Sequence, residues 1–260
     1  MQVSYEDIRR VWLEADAVPE IANAWLWDHL LPVAGPEDGQ IHEGWTLLSA
    51  LADRTERLRL GLLVTSNRLR PPAQLGRMAS TVDVISGGRL VLGPGVGGTR
   101  QPPGAGGIPG ADPAIAEYAA CGLSLLPPGE GIERLGETVA ILKGMWPRDV
   151  FDFEGRHYRL RGTRCEPEPE PVQRPGPPLL IGGWGTWLLR LVAEHALMWN
   201  VPGPPHNTVE YVAERARVLD AHCAELGRDP AGITRSVRSW CRTTSRPRPG
   251  RRSAGSSTPG

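Results

Sequence analysis

Residues 81–98 read TVDVISGGRLVLGPGVGG, and this stretch decides the fold. It holds a helix end, a Gly-Gly stop, a short buried strand and a glycine-rich loop. Gly87 and Gly88 suit the left-handed conformation that closes a helix. Arg89–Leu92 is an apolar run of strand length. Gly93, Gly95, Gly97 and Gly98 leave the backbone bare, as expected where it approaches a flat ligand closely. A strand opening into such a loop at its C-terminal end is how α/β proteins build ligand sites.

Outward from there, helical and strand patterns alternate. Ser4 and Asp7 form a capping-box pattern ahead of a helix over Tyr5–Ala17, with Ile8, Val11, Trp12 and Ala15 at helical spacing. Further helices are predicted near Glu43–Thr55, Ala73–Val84, Glu130–Trp146 and Trp187–Glu194, and from Asn207 or Thr208 to Leu226. Strands are predicted at Ala24–Trp27, Leu58–Thr65, Arg89–Leu92, Leu179–Ile181, Ala196–Asn200 and Ile233–Val237. Val150–Leu160 reads as a hairpin. Gly93–Gly129 is too long for an ordinary connection and reads as a functional loop or lid. Repeated βα units with right-handed crossovers imply a parallel sheet. Six strands are two short of a closed (β/α)8 barrel.

The 260 residues, 40% of them apolar, suit a domain with a substantial core and carry no apolar run of membrane-spanning length. The four cysteines, Cys121, Cys165, Cys223 and Cys241, form no CxxC pair. With no export leader in view, the expected setting is a reducing cytoplasm. Residues 235–260 hold seven arginines and no acid, so the net-neutral chain leaves about −7 on the rest, which disfavours nucleic acid as a partner. The domain reading is therefore a barrel over residues 1–237 and a basic, disordered or out-of-frame tail over residues 238–260.

Rival motifs fail. Gly95-Val96-Gly97 continues to Arg100 where a dinucleotide loop needs glycine, and no helix follows. A P-loop, HExxH and GxSxG are all absent. A Schiff-base aldolase would have only Lys143, in a helix away from the predicted mouth. Trp12, Trp45 and Trp146 sit on helical core faces, whereas Trp184 and Trp199 lie at strand ends and could stack on a ring.

Four segments, in this order and each at a strand end, resemble the luciferase-like family of flavin- and deazaflavin-dependent oxidoreductases. They are Trp27-Asp28-His29, GLLVTSNRLRPP at 61–72, ISGGRLVLGPGVGG at 85–98, and LLIGGWG at 179–185. The resemblance implies a TIM-type (β/α)8 barrel, here lacking its first and last strands, and FMN or the deazaflavin coenzyme F-420 as cofactor. His29 would be the general acid/base and Asp28 would hydrogen-bond the cofactor. A non-proline cis peptide at Leu63-Val64, followed by Thr65, would support the ring, with Gly95 and Gly97 beside it. The turn Gly182-Gly183-Trp184-Gly185-Thr186 would cradle the phosphate at a helix N-terminus. A small-molecule substrate is implied, with molecular oxygen and a second copy of the chain as further candidate partners. Two departures from deazaflavin-dependent relatives, Pro32-Val33 and Gly98-Thr99, speak against a sugar-phosphate dehydrogenase. The non-enzymatic alternative is a truncated, inactive fragment.

Overall fold

The computed structural model describes residues 3–32, 39–97, 113–147, 150–164 and 170–239. The parallel sheet begins with β1 (Asn23–Leu26) paired in register with β2 (Arg59–Leu62). A parallel bridge from Leu60 to Leu90 adds the next strand, and another from Leu92 to Leu179 leads into β7 (Leu180–Gly182). From there β7 pairs with β8 (Met198–Val201), and β8 with β9 (Thr234–Val237), all parallel. The strands therefore neighbour one another in chain order, as repeated βα crossovers demand. No ladder joins β9 to β1 among the described residues, so what is seen is an arc of six strands and not a closed ring.

Past Leu62 the chain bulges. The Leu63–Val64 peptide is cis, as are Arg174–Pro175 and Pro204–Pro205. Pairing then resumes between the two-residue strands β3 (Thr65–Ser66) and β4 (Pro94–Gly95).

The helices α1 (Tyr5–Asp16), α2 (Gly44–Arg54), α3 (Pro72–Ile85), α5 (Pro128–Met145), α6 (Thr186–His195) and α7 (Val209–Glu225) follow the predicted pattern within a residue or two at most ends. The α3 stop is as expected: Gly87 and Gly88 have φ of 64° and 85°, a conformation that costs glycine little. The hairpin consists of β5 (Phe151–Glu154) and β6 (Arg159–Thr163), antiparallel. Its tip is fastened to α5 because Glu137 accepts backbone N–H bonds from Arg156, His157 and Tyr158.

One expectation needs correction. The segment 93–129 is not simply a loop, since α4 (Pro113–Ala120) lies inside it. Helical spacing in this Ala-rich run was masked by the Pro/Gly composition around it. Gly98, Thr99 and the rest of 98–112 lie outside the described residues, as do Val33, Cys165, Cys241 and the tail from residue 240.

Strand alternation divides the sheet into two faces. Leu60, Leu62, Leu90, Leu92, Ile181, Trp199 and Val201 pack with the helices in one hydrophobic core. The intervening positions Trp25, Gly61, Val91, Leu180, Asn200 and Ser236 face the other way. Val91 and Leu180 are nonetheless only 0% and 1% exposed, so the sheet curls far enough to enclose them. The far end of the sheet is closed by arginines. Arg89, for example, donates to the carbonyls of Ala52, Thr55 and Leu58 where α2 ends.

Candidate active site

The sequence-predicted site residues converge at the C-terminal ends of the parallel strands. Asp28 and His29 follow β1 and meet different partners. Asp28 points into the protein. Its side chain is fully buried and in an ion pair with Arg70. Oδ2 accepts from Thr65 Oγ1 and Ser66 N, both at 2.8 Å, and from Arg70 Nη1 at 2.7 Å. Oδ1 accepts from Arg70 Nη2 at 2.9 Å. Thr65 in turn accepts from the Trp45 indole N–H at 2.8 Å. Arg70 also reaches Glu43, whose carboxylate caps α2 by accepting from Trp45 N and Thr46 N. The carboxylate and hydroxyl expected to meet a cofactor are thus hydrogen-bonded within the protein. What they do is lock the end of β1 to the segment just after the Leu63–Val64 bulge.

The glycines have a comparable function. A Cβ on Gly95 would lie 2.2 Å from Val64 Cγ2, and one on Gly182 would lie 3.0 Å from Val64 Cγ1. A Cβ on Gly97 would lie 2.6 Å from the Tyr118 hydroxyl and 2.7 Å from Ser66 Oγ. These positions are small so that protein side chains can occupy the space. Val64 is thereby wedged between the glycine-rich loop and the start of the 182–186 turn. Replacing Gly95 by alanine is expected to destabilise the protein by about 1–3 kcal/mol through overpacking. Thermal unfolding checks this, and Val64→Ala in the same chain should recover part of the loss.

His29 is held from a direction the sequence did not announce. Its Nδ1 lies 3.1 Å from Glu117 Oε2, and Glu117 Oε1 accepts from the backbone N–H of Leu30 at 2.5 Å and of Leu31 at 3.3 Å. Glu117 comes from α4 and is almost wholly buried, whereas His29 is 38% exposed. Burial raises the Glu117 pKa, but the bonds from His29, Leu30 and Leu31 outweigh it and leave the carboxyl below its ordinary value. An ionised Glu117 can only accept, so the hydrogen-bond network assigns the imidazole proton to Nδ1. Nε2 then carries the lone pair. This is an imidazole oriented by a carboxylate, the arrangement a general acid/base requires.

The 182–186 turn follows β7, at the same end of the parallel sheet as His29. Gly183 has φ of 136°, accepts from the Trp199 indole N–H at 2.8 Å and donates to Asn200 O at 3.0 Å. Trp199 is fully buried, which removes it as a stacking platform. Trp184 instead stacks on His206 at 4.1 Å. Gly185 precedes α6 and gives it no side-chain cap, as at α3 and α5, whereas α1, α2 and α7 are capped by Ser4, Glu43 and Thr208. Thr186 is exposed at its first position. The uncapped N–H groups and the positive helix end form a donor set suited to a phosphate.

A sequence profile described as luciferase-like monooxygenase matches residues 9–247. The chain belongs to that family. Among curated relatives of this luciferase-like chain, pyrimidine monooxygenase RutA of Stutzerimonas stutzeri is 30% identical over 208 residues, 78% of this chain and 48% of that protein. The F420-dependent glucose-6-phosphate dehydrogenase of Amycolatopsis mediterranei is 29% identical over 151 residues, 57% and 40% of the two chains. This luciferase-like chain spans about half the length of the curated relatives it matches. Among solved structures, monooxygenase RslO1 from Streptomyces bottropensis superimposes with a TM-score of 0.67 at 21% identity, over 90% of this chain and 66% of that one. An F420-dependent secondary alcohol dehydrogenase gives 0.68 at 17%, over 91% and 65%. The TIM-barrel-type fold of the luciferase-like proteins follows from these, and its closure is not seen among the described residues.

Proposed function

We propose that the chain forms the cofactor-binding and proton-handling part of a flavin- or deazaflavin-dependent oxidoreductase acting on a small organic substrate, with oxygen as co-substrate if it is a monooxygenase. The observation that carries this reading is the His29–Glu117 pair on the same rim as the Val64 wedge and the uncapped α6 N-terminus. Relatives and fold neighbours include proteins named as F420-dependent and one solved with modified FMN. FMN and coenzyme F-420 both carry a phosphate, and the donor set at α6 fits it. The bound ring supplies hydride or oxygen chemistry.

Everything else falls to this chain. Gly185 and Thr186 hold the phosphate, and Val64 with its flanking glycines supports the ring. Asp28 and Arg70 keep the bulge in place. Glu117 fixes the imidazole so that His29 Nε2 accepts a proton from substrate or, once protonated, returns it. The protein is read as cytoplasmic and without a nucleic-acid partner. Among the described residues, no helix is long and apolar enough to cross a membrane.

Titration of the purified protein with FMN and with coenzyme F-420, followed by visible absorbance, tests the reading. Saturable binding of one is expected, and failure of both would overturn it in favour of a non-catalytic fragment, for which the outer edges of β1 and β9, unpaired among the described residues, speak. Thr186→Asp sharpens the test. An acid at a helix start is favourable by about 0.3–1 kcal/mol, so the fold should hold while cofactor binding weakens about tenfold or more. Unchanged affinity would remove the phosphate from this turn.

A further inference from the structure

Six histidines stand in the chain, and four of them face a carboxylate. His29 pairs with Glu117, His157 with Glu133, His195 with Glu194 and His222 with Glu225. His42 keeps a buried Nε2 without a partner. His206 is the remaining one, and it lies against the turn read as the phosphate site. Its ring is half-buried. Neither of its nitrogens is hydrogen-bonded to a described residue, and neither is sealed from solvent.

Local structure puts it there. After β8 ends at Val201, a short loop leads to Thr208, the N-cap of α7. Within it His206 N donates to Gly203 O at 3.2 Å, closing a turn. The imidazole stacks on Trp184, with centroids 4.1 Å apart and planes at 25°. It also meets Tyr211, in the first turn of α7, at 5.0 Å and 42°. Stacking engages the face of an imidazole, whereas its nitrogens lie in the ring plane and stay available for hydrogen bonds. Trp184 stands two residues before Thr186, at most about 7 Å along the chain, so the ring packs on the very turn that leads into α6. The surroundings hold no acid for it. Residues 182–187 read GGWGTW. On α7, Glu210 is exposed, and Glu214 is engaged by Arg215, whose guanidinium lies over the Tyr211 ring. A positive charge on His206 would have no internal counter-ion, beside a helix start whose dipole is itself positive. That combination calls for an anion from outside the protein.

We propose that His206, in its imidazolium form, is a second ligand for the phosphate ester at the 182–186 turn, so that recognition of the phosphate strengthens as pH falls. Histidine is the side chain whose charge ordinarily changes between pH 5 and 8. Only the imidazolium offers a charge-assisted bond to the anion. The Trp184 and Tyr211 rings hold the imidazole in place and Thr186 with the α6 N–H groups supplies the pH-independent part of the site. This inference deepens the proposed function and rests on it.

FMN and riboflavin are the probes, one ring with and without the phosphate; if the chain takes F-420, that coenzyme and its phosphate-free ribityl chromophore replace them. Isothermal titration calorimetry at pH 5.5 and pH 8.5 gives the preference for the phosphorylated form, in the wild type and in His206→Phe, which keeps a stacking ring without nitrogens. The phosphate's own titration is common to both proteins and cancels in the comparison. At pH 5.5 the wild type is expected to show a preference about 10- to 100-fold larger than the variant, the usual worth of a charge-assisted bond. At pH 8.5 the gap should close to about twofold. His206→Arg carries a charge that does not titrate and should hold the preference at both pH values; it also carries the test if the phenylalanine variant does not fold. Equal preferences at pH 5.5, a gap of the same size at pH 8.5, or loss of the preference in His206→Arg would overturn the proposal. Failure of the wild type to bind either cofactor would sink the functional reading itself, whereas a bound cofactor indifferent to His206 sinks only this role.

Discussion

Replacing His29 by alanine is expected to lower turnover by about 10²- to 10⁴-fold, the usual contribution of a positioned general acid/base. Cofactor affinity should stay within about twofold, because the phosphate and ring contacts proposed above come from other strand ends. The measurement is kcat and KM, set beside an absorbance titration of the cofactor, using the cofactor that binds and a substrate found by screening. Wild-type turnover in the variant would remove His29 from the mechanism. Loss of cofactor binding would make it a cofactor contact instead.

Glu117→Gln separates positioning from chemistry. Glutamine keeps the size and one carbonyl oxygen for the Leu30 and Leu31 N–H groups, but gives up the charge that fixes the imidazole tautomer. A kcat about tenfold lower with KM nearly unchanged is expected. The variant also has a stability signature. The Glu117 carboxyl lies below its ordinary pKa in the folded state. Its contribution is therefore fully present above the unfolded value and is lost as pH falls through the folded one. In Glu117→Gln that part of the acid limb should flatten, read as the urea midpoint against pH.

The parts of this molecule that were legible in the sequence are those written in local patterns. Helical spacing, Gly-Gly stops and apolar strand runs are short-range signals, and they located the helices and the parallel strands. His29 stood out through the family resemblance of Trp27-Asp28-His29, since a histidine at a strand end by itself reads equally as a loop residue. Its partner did not stand out. Glu117 lies 88 residues away, on a helix hidden within a Pro/Gly-rich stretch, and only the fold brings it to His29. The glycines carried a different ambiguity. A bare backbone signals close approach without saying what approaches. At Gly95 and Gly182 the neighbour is Val64, and at Gly97 it is Ser66 and Tyr118. Asp28 illustrates the same limit, since a carboxylate at a strand end reads alike whether it will face a ligand or an internal arginine.

Asp28→Ala is expected to cost about 3–5 kcal/mol of stability, the largest stability effect of any substitution considered, because it strands a buried charge. The Arg70 side chain is only 9% exposed. It would lose both of its bonds to Asp28 and, among the described residues, keep Glu43, which is itself partly open to solvent. The Ser66 N–H and the Thr65 hydroxyl would lose their acceptor in the same step. Urea unfolding checks this, with the midpoint falling and the slope m unchanged if the denatured state is the same. The pair itself need not be stabilising. A buried ion pair replaced on both sides by apolar groups is often neutral or better, so Asp28→Ala with Arg70→Met should recover much of the loss. Recovery of stability without recovery of cofactor binding would show what the network is for. It holds the segment after Val64 against β1, and thereby sets where His29 begins. A loss below about 1 kcal/mol in Asp28→Ala, or cofactor binding fully restored in the double variant, would mean that the bulge keeps its shape without this carboxylate.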